Sequence, residues 1–104
     1  MRNSQCTSLA KSAKNVVTKT AGRIDGVQVF LFGSSRYLND PSDIDLLFVY
    51  DKQKLQPEQA YMRVRPIVKA VSKKTGVPVH PVILTKEEER ATKFIKSVKP
   101  VVML

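Results

Sequence analysis

The residues best suited to chemistry lie between Gly33 and Asp45. Gly33-Ser34-Ser35-Arg36 closes one apolar run, and Ser42-Asp43-Ile44-Asp45 opens the next, Leu46 to Tyr50. Side chains alternate between the two faces of a strand. Asp43 and Asp45 therefore share a side, while Ile44 turns towards a core. Two carboxylates so placed can ligate a hard divalent cation. Mg²⁺ in particular takes one or two carboxylates and completes its shell with phosphate oxygens and water. The upstream turn supplies what such a phosphate needs. Gly33 permits a tight turn and close backbone approach. Ser34 and Ser35 add hydroxyls, and exposed N–H groups can hold phosphate. An Asp-x-Asp pair alone is more often a solvated cap or turn. The combination of strand, Gly-Ser, polar loop, paired acids and second strand is what points to a metal–triphosphate site.

The elements that must position these residues follow from hydrophobic periodicity. Leu9, Ala13, Val16 and Val17 recur at helical spacing, with Cys6 upstream, predicting an amphipathic helix over residues 4–21 stopped by Gly22. Asp25-Gly26 turns the chain. Val27 to Phe32 is β-branched and aromatic, hence a strand. Gly33 to Ser42 forms a loop or short helical turn. Ile44 to Tyr50 is a second strand whose near-continuous apolar character predicts burial on both faces. Pro57 opens a helix with Glu58 in its first turn. The stripe Met62, Ile67, Val68 and Val71 carries it to about Lys74, with Gly76 as its stop. Pro66 is expected to kink or split this helix near Arg65. Val77 to Leu84 reads as a third strand, placed at a sheet edge by Pro78 and Pro81. Thr85 with Glu88 forms a capping box for a last helix running through Phe94, Ile95 and Val98. The expected order is α-β-β-α-β-α in one α/β (α+β) domain covering residues 1–104, a small mixed sheet covered by helices.

Composition bounds the function. Eighteen Lys and Arg against nine Asp and Glu leave a net charge of +9, which favours anionic partners, although a solvated basic surface is the plain alternative. The cations are scattered, and no aromatic-rich segment suits base stacking. Arg63, Arg65, Lys69, Lys73 and Lys74 read as a solvated helix face or a basic binding face. The single cysteine excludes an internal disulfide and indicates a reducing compartment, the cytoplasm. No apolar run approaches the roughly 20 residues of a membrane span. The acid-free first 24 residues superficially suit a transit peptide, but they serve better as a helix.

These motifs resemble the DNA polymerase β-like nucleotidyltransferase superfamily, and most closely its minimal stand-alone (MNT-type) members. The pattern there is Gly-Ser, a variable loop, acid–hydrophobe–acid, and a third acid on a later strand. Gly33, Ser34, Asp43 and Asp45 match it, and Arg36 stands where many members carry arginine. The resemblance implies Mg²⁺-dependent transfer of NMP, with AMP from ATP the first choice, onto a hydroxyl of a protein or small molecule. It implies Asp43 and Asp45 as metal ligands and catalytic residues, with Gly33, Ser34, Ser35 and Arg36 binding the nucleotide. Some such relatives are antitoxins paired with a HEPN-type RNase, so a protein partner or a homo-oligomer mate could supply the acceptor surface. The chain departs from the pattern at the third acid, where the strand reads Val-Pro-Val-His-Pro-Val-Ile-Leu. His80 stands there as a replacement base, as a mark of lost activity, or as a histidine without catalytic role. Imidazole is a poor Mg²⁺ ligand beside oxygen donors. Asp40, Asp51 and Glu87 to Glu89 are the other acids that could substitute, and Tyr37 could stack on a base. Two further functions compete: a nucleotide–Mg²⁺ binding module without transfer, and a basic nucleic-acid-binding subunit.

Overall fold

A computed structural model describes residues 8–21, 26–33 and 42–103. Its elements run α1 (Ser8–Ala21), β1 (Val27–Phe32), β2 (Ile44–Tyr50), α2 (Pro57–Thr75), β3 (Val79–Thr85), α3 (Lys86–Thr92), α4 (Phe94–Val98) and β4 (Val101–Val102). The sheet order is β3-β2-β1-β4. β1 is antiparallel to β2 and β4, while β2 and β3 are parallel, joined by the α2 crossover. This is a mixed α+β architecture, a small mixed sheet with helices packed on it, as expected. The predicted upstream turn of α1, Cys6 and Gly22 lie outside the described residues.

Strand alternation divides the core in two. Val27, Val29 and Leu31 of β1, with Ile44, Leu46 and Phe48 of β2, face α1 and α2. Those helices answer with Ala10, Ala13, Val17, Ala60, Val64, Ile67 and Val71, all buried. The other sheet face holds a smaller cluster, Phe30, Leu47 and Val49, against Phe94 and Ile95 of α4. β2 is thus buried on both faces, as its apolar run predicts. β3 does take the edge position.

The ends of α2 are set locally. Pro57 occupies the first turn, and the Gln56 N–H donates to Gln59 Oε1 at 2.8 Å. Gly76 (φ 73°) ends the helix in the left-handed conformation that glycine adopts without strain, its N–H reaching the Ser72 carbonyl at 2.8 Å. Several expectations are corrected. First, α2 is not split at Pro66. A proline ring suits helical φ, and Pro66 lies on the exposed side of the helix, where water can solvate the Met62 carbonyl that lacks its partner. Met62 itself is 67% exposed and does not belong to the buried stripe, which runs Ala60, Val64, Ile67, Val71. Secondly, the last helix is two. The Thr85–Glu88 capping box forms as expected, with bonds of 2.8 and 3.0 Å. Lys93 then takes a left-handed conformation (φ 54°), and the Glu89 carboxylate accepts the Ile95 N–H at 3.0 Å, capping α4. Thirdly, the chain re-enters the sheet at β4, so the order is α-β-β-α-β-α-α-β. The third strand also starts at Val79 rather than Val77.

Pro66 removes one helical hydrogen bond at an exposed position. Pro66→Ala restores it, against a smaller loss of unfolded-state rigidity. We expect a gain of about 2 kcal/mol in urea denaturation.

Candidate active site

Three strand ends converge. The antiparallel register sets Phe32 opposite Asp45, and the parallel register sets His80 opposite Asp45 from the other side. Gly33 ends β1, Asp43 and Asp45 flank the start of β2, and His80 lies at the start of β3. The period of two puts Asp43, Asp45, His80 and Phe32 on one sheet face, the face carrying Leu47 and α4 rather than α1 and α2.

Gly33 is required twice over. Its φ is +79°, and a Cβ there would collide with the Asp45 carboxylate, whose Cγ would lie only 3.3 Å away. The backbone of the turn and the acid are therefore packed together, which no other residue type allows. His80 Nε2 lies 3.9 Å from Asp43 Oδ2, with the histidine side chain 64% exposed and the aspartate 35%. Asp45 is half-buried. Burial pushes its carboxyl above the ordinary 3.8, and the Asp43 charge adds to this, while His80 acts in the opposite direction. Phe32, opposite Asp45, meets Phe94 edge-to-face with ring centroids 5.2 Å apart. Together they form an apolar wall beside the carboxylates. Sequence reading passed over both rings; the alternation of β1 gives Phe32 its face, but its neighbour depends on register.

Other sequence candidates separate. Ser34, Ser35, Arg36, Tyr37 and Asp40 lie outside the described residues. Asp51 follows β2 at its far end, about 20 Å of strand from Asp45. There it accepts the Gln53 N–H at 2.9 Å and stands 3.9 Å from Lys86 Nζ. Glu88 is occupied in the capping box and Glu89 caps α4; Glu87 lies in the first turn of α3, favoured by the helix dipole. None of these replaces the third acid. Among the described residues, no group of three His, Cys, Asp or Glu side chains is arranged to hold a metal ion, and no lysine or arginine pairs with Asp43 or Asp45.

The donor set nevertheless fits Mg²⁺. Two carboxylates on one face, held close enough to repel and partly withdrawn from water, gain from a shared divalent cation. Mg²⁺ asks for one or two protein carboxylates when phosphate is present.

Two comparisons with known proteins bear on the family. The profile of the nucleotidyltransferase domain family matches residues 11–102. The crystal structure of a candidate nucleotidyltransferase from Sulfolobus solfataricus is similar at 30% identity, over 88% of this chain and 76% of that one, with a TM-score of 0.47. No curated protein matches the chain.

Two substitutions probe the site. In Asp45 a raised carboxyl pKa means that the folded protein binds the proton more tightly than the unfolded chain. Ionised Asp45 therefore costs stability above its raised pKa, and the cost vanishes as pH falls below the ordinary 3.8. Asp45→Asn is expected to raise Tm by a few degrees at pH 7, and this advantage over wild type should close as the pH is lowered through the carboxylate range. Gly33→Ala is expected to lower Tm at pH 7 by several degrees, because the new methyl meets both a strained φ and the Asp45 carboxylate. Both are read by calorimetric scans.

Proposed function

The chain belongs to the nucleotidyltransferase domain family, and on that basis we propose that it transfers the nucleoside monophosphate of an NTP, ATP in the first instance, to a hydroxyl group. The observation that carries this reading is the convergence of Asp43, Asp45 and His80 beside Gly33. Asp43 and Asp45 would hold Mg²⁺. When bound, the ion supplies charge neutralisation at the phosphates and at the attacking and leaving oxygens of an in-line displacement. Gly33, with Ser34, Ser35 and Arg36 following it, would bind the triphosphate through backbone N–H groups, hydroxyls and the guanidinium.

In the reaction the acceptor oxygen forms a bond to the α-phosphorus, the bond to pyrophosphate breaks, and the acceptor proton must leave. His80 would take it. Its imidazole is exposed, neighbours Asp45 across the ladder, and lies near Asp43, whose charge would stabilise the imidazolium that forms. The apolar wall of Phe32 and Phe94 keeps water from one side of Asp45. The acceptor is a hydroxyl of a protein or small molecule. A partner of the HEPN type or a second copy of the chain would complete the surface that presents it.

A second reading has its own observation. No third carboxylate joins Asp43 and Asp45 among the described residues, which would suit a subunit that binds nucleotide and Mg²⁺ without transferring. Calorimetric titration tests the common ground: Mg·ATP should bind with micromolar affinity, and Asp43→Asn/Asp45→Asn should weaken it at least tenfold. Absence of Mg-dependent binding to any NTP would overturn both readings. Turnover of α-labelled ATP separates them. If His80 is the base, His80→Ala lowers transfer at least tenfold with binding retained. If the chain is a binding subunit, wild type is silent and His80→Asp creates activity.

A further inference from the structure

Among the described residues, the helical layer over the sheet is incomplete. Two helices, α1 and α2, cover the face of a four-stranded sheet, and beyond α2 the edge strand β3 is left partly uncovered. Pro81 is exposed and Ile83 half-buried there. Between them and α2 runs an apolar groove of about 190 Å³, floored by Val64 and Val68 and bordered by Tyr61, Arg65 and Lys69. A second depression continues across the outer side of α2, between Met62, Arg65, Pro66 and Lys69. Tyr61 and Met62 are 57% and 67% exposed, and with Val102 they are the exposed large apolar residues of the described chain. Single exposed apolar side chains are ordinary, but adjacent ones rimming a groove mark an interaction surface.

We infer that this groove, between α2 and the β3 edge, docks an acidic amphipathic helix of a partner protein. Charge selects the sign of the occupant. Arg65 and Lys69 border both depressions, and among the described residues no acid lines either. A chain carrying +9 opposes a second copy of itself at such a place. The apolar lining selects protein over nucleic acid: the aromatic ring present, Tyr61, has the Arg65 guanidinium 5.9 Å from its centroid, so that face already carries a cation. The strand itself selects a helix over an added strand. The Ile44 N–H bonds to the Pro78 carbonyl at 2.9 Å. In the parallel ladder this phase turns the backbone of His80, Val82 and Leu84 towards β2 and that of Pro81 outwards, where proline offers no donor to an incoming strand. A helix laid beside α2 buries the groove in the way α2 buries its own neighbour, as amphipathic helices do in apolar grooves. The surface lies on the sheet face opposite to Asp43 and Asp45, and it does not depend on nucleotide chemistry.

The probe is a synthetic helical peptide with leucines at positions i, i+3, i+4 and i+7 and glutamates elsewhere, titrated near physiological salt by fluorescence anisotropy. A peptide with lysines in place of the glutamates and a single-stranded oligonucleotide serve as competitors. The acidic peptide should bind, with amide shifts confined to α2 and β3, and neither competitor should displace it. The charge-neutral Tyr61→Ser/Met62→Ser should weaken binding at least tenfold, and Arg65→Glu/Lys69→Glu should abolish it, with circular dichroism unchanged because all four side chains are at the surface. Absence of peptide binding overturns the inference. So does binding that survives Tyr61→Ser/Met62→Ser, which would be unspecific attraction to a polycation. Displacement by the oligonucleotide, or a dimer in sedimentation that Tyr61→Ser/Met62→Ser dissociates, would assign the face to nucleic acid or to a second copy instead.

Discussion

The contact between the Gly33 backbone and the Asp45 carboxylate is the constraint around which the site is arranged. It needs a residue without Cβ at a positive φ, ending one strand, against an acid one residue into the next. The antiparallel ladder from Val27–Tyr50 to Phe32–Asp45 delivers both to one place. That ladder in turn is held by β2, whose Ile44, Leu46, Leu47 and Phe48 are fully buried. A strand buried on both faces cannot slip by one residue without exchanging its two sets of side chains. The position of Asp45 is thus fixed by apolar residues that take no part in any chemistry.

The site is also where the fold works against itself. The carboxylates repel, and Asp45 is partly withdrawn from water beside Phe32 and Phe94. Such an arrangement is unfavourable by itself and would gain from positive charge, which is the property the proposed cation site rests on. The surroundings follow the same logic. Cations are plentiful in the chain, yet among the described residues the basic group beside the acids is His80.

Much of this was legible in the sequence because local rules and tertiary packing agreed. β1 and β2 have the predicted bounds, since β-branched and aromatic runs end at Gly33 and begin after Asp43. Gly76 and the Thr85–Glu88 pair act as written. The disagreements have physical causes. Pro66 was expected to kink or split α2; it does not split it, because its missing bond falls on the solvent side and the buried stripe on the other side holds the helix together. The break at Lys93 carries no glycine to announce it; it depends on the Glu89 carboxylate reaching Ile95. β4 is two residues long and has no periodicity to detect. In the site, Asp43, Asp45 and Gly33 could be chosen by type and spacing. The placement of His80 beside Asp45 required the parallel register, and the apolar wall required both the register and α4.

The edge strand β3 has two sides with different neighbours. His80 turns to the carboxylates, and the next residue, Pro81, turns to the groove beside α2. A strand one residue thick cannot shift on one face and stay still on the other. Occupancy of the groove and occupancy of the carboxylate site therefore share a mechanical element. If a helix in the groove altered the affinity for nucleotide by some factor, nucleotide would alter the affinity for that helix by the same factor, as thermodynamic linkage demands. If the protein binds nucleotide as proposed, a partner in the groove would in this way report on, or set, its nucleotide state without touching the nucleotide.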